Sequence, residues 1–416
     1  MDRRTFLIRA AAVLAVPPSS VCALAPPVKP KARVIVIGGG MGGATMAKYM
    51  RMWGDEVAVT LVERNPQYVS SIMSSLVLTG QRTIPNLTFG YDTLRSRYGV
   101  EVVIDDVVEV DPTRAAVKLA SGRQLSADRI VMSPGVDFDV VPGLDDSRMP
   151  HAWKAGPQTS LLAEQLAKIP DNGVVVLTVP KAPFRCPPGP YERACLIADW
   201  LEATKPRAKL IVLDANPDII VEKENFTRAF SGPYAKVIEY RSGVEITSAD
   251  SAQMTLSTNG GSVRGDVINL IPRHRAGALV TASGLTTGGD ERFAPVDVLS
   301  YGSTVAPMVH VIGDSCATTQ PKAGHIANQE AKVCADALAR IFSGGQPDPS
   351  PVTNSACYST ISRTQATWLN AVYQFDTATK SMVAVPKSFA ASESWTAENF
   401  KDMGKWFDAL MADTFA

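Results

Sequence analysis

The sequence is short of the residues that build metal sites and covalent haem sites. Its 416 residues include only six cysteines and four histidines, and no C-x-x-C pair or C-x-x-C-H motif occurs. This argues against zinc clusters and against c-type haem attached to this chain. The histidines are scattered along the chain, which favours surface or core positions over metal ligation. The sequence therefore predicts no metal site.

The sequence also lacks an excess of charge of either sign. Lys+Arg and Asp+Glu both count 41, so the formal net charge is zero. Nothing in this balance favours a nucleic acid or an anionic membrane as a partner. With 45% hydrophobic residues over this length, we expect two or three domains, each with its own core.

The chain begins with the features of an export signal. Residues 1–25 contain paired Arg3 and Arg4, a short apolar run and an A-x-A sequence that ends at Ala25. The run is too short to span a bilayer, and twin arginines before an apolar stretch are typical of the bacterial twin-arginine route. An ordinary secretory signal with chance arginines is the alternative. We predict a periplasmic mature protein that starts near Pro26, loses Cys22 and keeps five cysteines.

A dinucleotide-binding motif follows the signal. "RVIVIG" at 33–38 has the pattern of a buried parallel strand, and Gly38, Gly40 and Gly43 form G-x-G-x-x-G before a helix-like stretch. Glu63 ends the next strand-like run, about 20 residues further on, where an acid binds the ribose. The glycines let a pyrophosphate approach the backbone at the helix N-terminus. A tight structural turn is the alternative.

Two later stretches favour FAD over NAD as the nucleotide. "DRIVMSPG" ends at Gly135 and resembles the Ala-Thr-Gly-like turn of flavoproteins with two dinucleotide folds. "MVHVIGDSC" contains Gly313-Asp314 and resembles the motif in which an aspartate binds the ribityl chain. Lys322 and Gly324 follow, where the N-terminus of the next helix could face the flavin.

A second strand–turn–helix–strand unit at 172–216 lacks the glycines of the first. Its turn contains Pro180, Pro183, Pro187 and Pro188 around Cys186. Proline has no N–H and a fixed φ, so this turn cannot hold a pyrophosphate. We predict a Rossmann-like domain that has lost its NAD site.

The remaining segments complete the predicted domain order. A Gly- and Pro-rich run at 344–351 has the composition of a linker. The aromatic tail after it predicts a small α+β domain over the flavin. A membrane-binding helix at 395–411 is the alternative, disfavoured by the lack of a Lys/Arg cluster. We predict an FAD-binding domain from residues 32–149 and 263–343, a second Rossmann-like domain at 150–262 and a C-terminal interface domain at 351–416.

These segments resemble one family over nearly the whole mature chain. "HAWKAG", "APFRCPPGPYERA", "DVINLIPRHRAG", "PKAGHIAN" and the closing "DTFA" are similar to the flavoprotein subunit of flavocytochrome c sulfide dehydrogenase. The resemblance implies an α/β fold of glutathione-reductase type, with two Rossmann-like domains and a C-terminal interface domain. It also places the chain beside the sulfide:quinone oxidoreductases.

The resemblance implies three catalytic residues. In the family a redox-active disulfide joins a cysteine of "FRCPPGPYER" to one of a C-terminal "CYS" tripeptide, which match Cys186 and Cys357. The glutamate of "GPYER" matches Glu192, a candidate proton acceptor. Cys186 precedes a helix N-terminus and follows Arg185, and we expect both to favour its thiolate. A structural disulfide and an ordinary first-turn glutamate are the alternatives.

One position departs from the family pattern. The family usually ties its flavin to a cysteine shortly after the ribose-binding acid, and the matching residue here is Ser71. Serine cannot form the thioether, so we predict FAD bound without a covalent link.

The function implied is oxidation of sulfide through the disulfide and the flavin. Electrons would pass to a c-type cytochrome subunit on another chain, without stable membrane insertion of this one. A sulfide:quinone oxidoreductase and a non-catalytic flavin electron-transfer subunit are the alternatives.

Overall fold

The computed structural model of the protein describes residues 30–416. The predicted signal peptide lies outside the described residues. Helices α1 to α9 are, in chain order, Met41–Trp53, Ser75–Leu78, Asp92–Ser96, Pro157–Ala167, Gly189–Thr204, Lys223–Ser231, Ala278–Ala282, Gly324–Phe342 and Ala397–Phe415, with 3-10 turns at Ile84–Leu87 and Gly313–Ser315. Strands β1 to β13 are Ala32–Ile37, Val57–Glu63, Tyr68–Val69, Thr88–Phe89, Glu101–Ile104, Val107–Asp111, Ala116–Leu119, Gln124–Ser126, Arg129–Met132, Val136–Phe138, Val174–Val179, Lys209–Asp214 and Ile238–Ser242. Strands β14 to β26 are Ile246–Asp250, Thr255–Thr258, Gly261–Arg264, Val267–Asn269, His274–Ala276, Ala294–Asp297, Gly302–Ser303, Val309–Val311, Cys316–Ala317, Val352–Thr360, Ala366–Asp376, Ser381–Ala384 and Ala390–Ala391.

The first domain is built on an eight-stranded sheet with strands from two distant parts of the chain. Its order is β22-β19-β20-β21-β9-β1-β2-β5, and β21, β9, β1, β2 and β5 run parallel. The apolar run of β1 is buried apart from one residue, as a central parallel strand requires. Helix α1 packs beside α8 on this sheet. The predicted strand–turn–helix–strand around the glycines is confirmed.

The second domain has its own parallel sheet, in the order β13-β12-β11-β17. Its strand–helix–strand core of β11, α5 and β12 is the predicted one. The predicted boundary at 262 is wrong, because β17 pairs with Val175–Leu177 of β11 and closes this sheet. The three residues of β17 are all buried. The domain therefore ends beyond Asn269, and β18 pairs with β10 where the chain returns to the first domain.

The C-terminal domain is an antiparallel sheet with one long helix, as predicted for the tail. Strand β23 pairs with β24 over nine residues, and β25 and β26 both pair with the other edge of β24. Helix α9 begins after Thr396, whose hydroxyl accepts a capping bond from the Asn399 N–H at 3.0 Å. Its apolar stripe is buried, and Phe415 stacks on Tyr68 and Phe89 with ring centroids 5.2 and 5.4 Å away. The stripe faces the core, which confirms the preferred prediction for this helix.

No helix within residues 30–416 combines the length and apolar character needed to cross a bilayer.

Candidate flavin and cysteine site

A cavity of about 480 Å³ lies at the carboxyl ends of the parallel strands, where open α/β sheets bind their ligands. Its size is typical of small-molecule and cofactor sites. All three domains contribute walls: the glycine turn after β1, the turn before α5, and strand β23 with helix α9. The tail therefore covers the site, as predicted.

The first wall is the glycine turn. Gly38 has φ +97°, and a side chain there would lie 2.4 Å from the Ser133 carbonyl oxygen. At Gly43 a Cβ would lie 1.8 Å from the Gly38 carbonyl oxygen, so this glycine permits the close packing of α1 on β1. Gly38 and Gly40 line the cavity, with α1 beginning directly after Gly40. The N-terminus of α1 thus opens on the cavity and suits a pyrophosphate.

Glu63 stands at the end of β2, as predicted, and lines the same cavity. Its Oε2 accepts from the Gly39 N–H at 2.6 Å, and its Oε1 accepts from the Asn65 N–H at 3.0 Å. The carboxylate therefore holds the glycine turn in place at the cavity wall.

Asp314 and Gly313 line the same cavity. Asp314 Oδ1 is buried without a hydrogen-bond partner, and burial raises the pKa of this carboxyl. A buried oxygen without a donor is costly, and a ribityl hydroxyl of a bound flavin would supply one. This orphaned oxygen and the glycine cradle are the features that fit FAD.

Glu330 on α8 supports this turn and was not predicted from the sequence. Its Oε2 accepts from the Gly313 N–H at 2.6 Å, and burial raises its pKa to about 8. Within a helix pattern, nothing distinguishes it from a surface glutamate. The available signal was its four-residue spacing from Cys334, which is buried on the same face of the helix.

The other predicted cofactor residues divide into two groups. Gly135, Ser71 and Gly324 line the cavity. Ser71 Oγ accepts from the Ala155 N–H at 3.3 Å. Lys322 does not line it: its Nζ donates to the Cys316 carbonyl at 2.7 Å and lies 3.7 Å from the Phe293 ring centroid. The contact of Lys322 with the cofactor therefore stays a prediction; its carbonyl accepts from the Cys186 N–H at 2.7 Å.

Cys186 and Cys357 meet at the cavity although they come from different domains. Both are half-buried free thiols that line it, and each lies within electrostatic reach of the other. Cys186 has φ +57°, a left-handed conformation that is rare for cysteine and typical of functional positions. The predicted disulfide is not formed in this structure and stays a prediction.

The expected thiolate character of Cys186 is wrong for this structure. Burial raises its pKa well above the ordinary value, and Glu192 and Cys357 raise it further. Arg185 lowers the pKa but by less than burial raises it. Burial likewise raises the pKa of Cys357 to about 12. Burial is therefore the largest influence on the pKa of both thiols.

Glu192 lies in the first turn of α5 and lines the cavity. Burial raises its pKa to about 8, opposed in part by the Thr360 backbone N–H and by Arg193. It is therefore not an ordinary exposed first-turn glutamate. A carboxyl poised near neutral pH and beside both thiols can exchange protons with them.

A buried arginine and a tryptophan complete this wall, and the sequence did not single them out. Arg193 donates to the Asn269 side chain at 2.9 Å and to the carbonyls of His151 and Ala152 at 3.2 and 2.9 Å. Its guanidinium lies 4.7 Å from the Trp153 ring centroid. The "HAWKAG" and "GPYER" segments are thus bound together. Both segments belong to the family resemblance, and this was the sequence signal that could have identified Arg193 and Trp153.

Three family models match the chain in succession. The model described as pyridine nucleotide-disulphide oxidoreductase matches residues 32–176. The central domain of the sulfide dehydrogenase [flavocytochrome c] flavoprotein chain matches 159–272, and the flavocytochrome c sulphide dehydrogenase flavin-binding domain matches 349–415. The middle match ends after β17, in agreement with the corrected boundary. A flavin-binding domain supports the predicted flavin cofactor.

Curated relatives match shorter stretches. The sulfide dehydrogenase [flavocytochrome c] flavoprotein chain of Chlorobaculum thiosulfatiphilum is 47% identical over 45 residues, 11% of this chain and 94% of that one. The mitochondrial sulfide:quinone oxidoreductase of Mus musculus is 26% identical over 187 residues, 43% of this chain. Apoptosis-inducing factor homolog B of Dictyostelium discoideum is 31% identical over 105 residues, 25% of this chain. The matches span 41% of the mouse protein's length and 25% of the Dictyostelium protein's.

Solved structures share the fold. The sulfide:quinone oxidoreductase of Aquifex aeolicus superposes with a TM-score of 0.76 at 16% identity, covering 92% of this chain and 91% of that one. A ferredoxin reductase from Rhodopseudomonas palustris gives 0.62 at 16% identity, covering 82% of both chains. The predicted fold class of two Rossmann-like domains and a C-terminal domain is confirmed. With its central and flavin-binding domains matched in order, the chain belongs to the flavoprotein-chain family of flavocytochrome c sulfide dehydrogenase.

Proposed function

We propose that the protein is an FAD-dependent sulfide dehydrogenase that passes electrons to a separate c-type cytochrome. One observation carries the proposal: Cys186 and Cys357, from different domains, line the same cavity, and Glu192 lines it as well. Two thiols that share a cofactor cavity suit sulfur chemistry better than hydride uptake from a nucleotide.

The cysteine pair performs the first step. Hydrosulfide attacks one sulfur of the oxidised pair, the S–S bond breaks, and a persulfide forms on one cysteine while the other leaves as a thiolate. Burial disfavours this thiolate, as the raised pKa values of both cysteines indicate. It is therefore a strong electron donor. Bound flavin supplies a two-electron acceptor at this wall.

Glu192 and Arg185 adjust charge during that step. Arg185 is the positive charge that acts on the Cys186 sulfur, and it donates to the Trp153 carbonyl, which fixes its position. Glu192 takes the proton that sulfide loses. With a pKa of about 8 it is protonated below that pH and becomes an acceptor above it.

The proposal includes three finer points. The predicted twin-arginine signal supports export to the periplasm. Ser71 at the cavity wall supports a non-covalent flavin. The absence of a haem motif supports a cytochrome on another chain.

The flavin attachment is tested on a denaturing gel. After SDS treatment, the wild-type polypeptide band should show no flavin fluorescence. A yellow, fluorescent band would contradict the proposal. In Ser71→Cys, retention of fluorescence on the polypeptide would show that this position faces the flavin ring.

The activity is tested by anaerobic titration with sulfide. We expect flavin absorbance to fall with sulfide and not with NADH or NADPH, and to recover when a c-type cytochrome is added. Recovery with a short-chain quinone but not with cytochrome would favour the quinone oxidoreductase alternative. Bleaching by NADH alone would contradict the proposal.

A further inference from the structure

The second Rossmann-like domain has an acid at the position that Glu63 occupies in the first. Asp214 is the last residue of β12 and lies beside Val179, the last residue of β11. Glu63 ends β2 in the same way. Each acid accepts from the N–H and the side-chain amide of the asparagine two residues later, at 3.0 and 3.1 Å from Asn65 and at 2.8 Å twice from Asn216. The two strand ends therefore share one local motif.

The second oxygen of each acid has a different use. Glu63 Oε2 bonds the glycine turn, and Glu63 lines the flavin cavity. Asp214 Oδ2 instead accepts from the Tyr191 hydroxyl at 2.7 Å and from the Tyr240 hydroxyl at 2.8 Å. Because a carboxylate accepts about four hydrogen bonds, these donors and those of the asparagine satisfy Asp214, which is fully buried. Asp214 therefore has no free oxygen for the ribose of a nucleotide.

Asn216 connects Asp214 to the start of the proline turn, the segment of residues 180–188 between β11 and α5. Its Oδ1 accepts from the Ala182 N–H at 3.0 Å, and its Nδ2 donates to the Pro180 carbonyl at 3.0 Å as well as to Asp214. Asn216 is itself buried. Because Asp214 bonds both the backbone N–H and the side chain of Asn216, it fixes that side chain in its bridging position.

Tyr191 connects the same carboxylate to the end of the proline turn. It lies in the first turn of α5, directly before Glu192, and this helix begins shortly after Cys186. Its side chain is fully buried, and its hydroxyl donates to Asp214 Oδ2. One buried carboxylate thus holds both ends of the segment that carries Cys186.

The middle of the proline turn has anchors of its own. The Arg185 N–H donates to His274 Nδ1 at 2.9 Å, and the Cys186 N–H donates to the Lys322 carbonyl at 2.7 Å. Cys186 nevertheless has φ +57°, a left-handed conformation that persists only where the surrounding structure constrains it. The bonds at the two ends of the turn add to that constraint, because they fix where the backbone enters and leaves.

We infer that Asp214 is a positioning residue for Cys186. Acting through Asn216 and Tyr191, it holds the proline turn so that the Cys186 sulfur stays at the cavity that it shares with Cys357. This rests on the proposed function and deepens it, because attack on a sulfur atom depends on where that atom is held. Asp214 itself takes part in no bond breaking and no proton transfer. The acid position that binds a ribose in a nucleotide-binding domain thus holds a reactive cysteine in place here.

The first experiment needs no sulfide. The reduced protein is alkylated with iodoacetamide, and peptide mass spectrometry gives a reaction rate for each cysteine. In Asp214→Ala and in Asn216→Ala we expect Cys186 to react about tenfold faster, since loss of a buried hydrogen bond shifts a local opening equilibrium by about this factor. Cys334, buried on α8 of the first domain, reports general loosening and should keep its rate. Equal acceleration of both cysteines, or of neither, would overturn the inference. Flavin content confirms folding, and Asn216→Ala decides the result if Asp214→Ala does not fold.

Two further variants separate positioning from other roles. Asp214→Asn can turn its oxygen to Asn216 and its amide to the tyrosines, whose hydroxyls accept as well as donate, so we expect wild-type alkylation of Cys186. An Asp214→Asn protein that reacts as fast as Asp214→Ala would show that the charge matters and would overturn the inference. Ser251→Ala is the matched control. Ser251 is buried in the same domain and bridges the Asp145 N–H at 2.8 Å and the Gly143 carbonyl at 3.0 Å, and its variant should leave the Cys186 rate unchanged.

The second experiment connects this position to the proposed reaction. Single-turnover flavin reduction by sulfide should be at least about tenfold slower in Asn216→Ala, because misplacement of a reacting group lowers its rate steeply. Asp214→Asn and Ser251→Ala should keep the wild-type rate. A wild-type rate in Asn216→Ala would overturn the inference. If sulfide does not reduce the flavin of the wild type, the proposed function fails, while the alkylation rates still decide whether Asp214 positions Cys186.

Discussion

Two turns of this molecule occupy the same place in the same topology and differ in almost every residue. One follows β1 and begins α1; the other follows β11 and begins α5. The first contains glycines, with Gly38 at φ +97° against the Ser133 carbonyl. The second contains four prolines and holds Cys186 in a left-handed conformation.

The difference lies in what each turn does with its backbone N–H groups. In the proline turn the Cys186 N–H bonds the Lys322 carbonyl, and the Arg185 N–H bonds His274 Nδ1 at 2.9 Å. The Ala182 N–H bonds the Asn216 side chain at 3.0 Å. With these donors used and the prolines lacking one, no amide cradle remains for a pyrophosphate. The proline turn therefore presents the Cys186 side chain to the cavity, whereas the glycine turn presents its backbone.

The largest expected effect comes from removing the side chain that the second turn presents. Cys186→Ser and Cys357→Ser should each slow sulfide-dependent flavin reduction by at least about a hundredfold, as loss of a covalent nucleophile does, while flavin content stays normal. Stopped-flow absorbance measures this. Cys334→Ala, at a buried cysteine outside the cavity, is the control and should retain the rate.

The next prediction compares glycines of the two turns. Gly43→Ala places a Cβ 1.8 Å from a backbone oxygen and should abolish flavin binding and soluble yield. Gly189→Ala places a Cβ 2.9 Å from Cys186 Sγ and 2.8 Å from the Trp153 ring. We expect the Gly189→Ala protein to keep its flavin. We expect the rate at which Cys186 is alkylated to change by a factor of ~3, a difference within about 1 kcal/mol. If only Gly189→Ala lost its flavin, the second turn and not the first would be the one that binds the flavin.

A smaller effect concerns pH. Because Glu192 accepts a proton only when ionised and its pKa is about 8, the reduction rate should rise as pH increases through about 8. Glu192→Gln should be about tenfold slower and lose this rise. A wild-type rate that falls over the same range would exclude Glu192 as the acceptor.

The smallest effect is on stability. Glu192 holds its proton more tightly in the folded protein, with a pKa of about 8, than at its ordinary value of 4.5. Between these values the folded state binds more protons, so this residue's contribution to stability decreases as pH rises. Glu192→Gln removes this loss of stability at high pH. The melting temperature of the variant should therefore exceed that of wild type by more at pH 9 than at pH 6. An equal difference at both would show that Glu192 is ionised throughout.

Local patterns predicted the first turn well. Gly38, Gly43 and Glu63 act through backbone geometry that short-range spacing encodes, and the structure places all three as predicted. The convergence of Cys186 with Cys357 came from the family resemblance, because no local pattern links residues of different domains.

Burial explains what the sequence missed. The thiolate prediction for Cys186 counted a helix N-terminus and an arginine but not the desolvation that raises its pKa. The boundary at 262 missed β17 because three residues carry too little periodicity. Glu330 has the sequence context of a surface acid, and only the packing of its helix shows that it is buried.

Peptide mass spectrometry of the oxidised protein, before and after anaerobic sulfide, tests the role of the second turn most directly. We predict a disulfide-linked peptide pair containing Cys186 and Cys357, which disappears on addition of sulfide as one cysteine gains the mass of a sulfur atom. Two unlinked cysteines in the oxidised protein, with no added sulfur after treatment, would contradict this role.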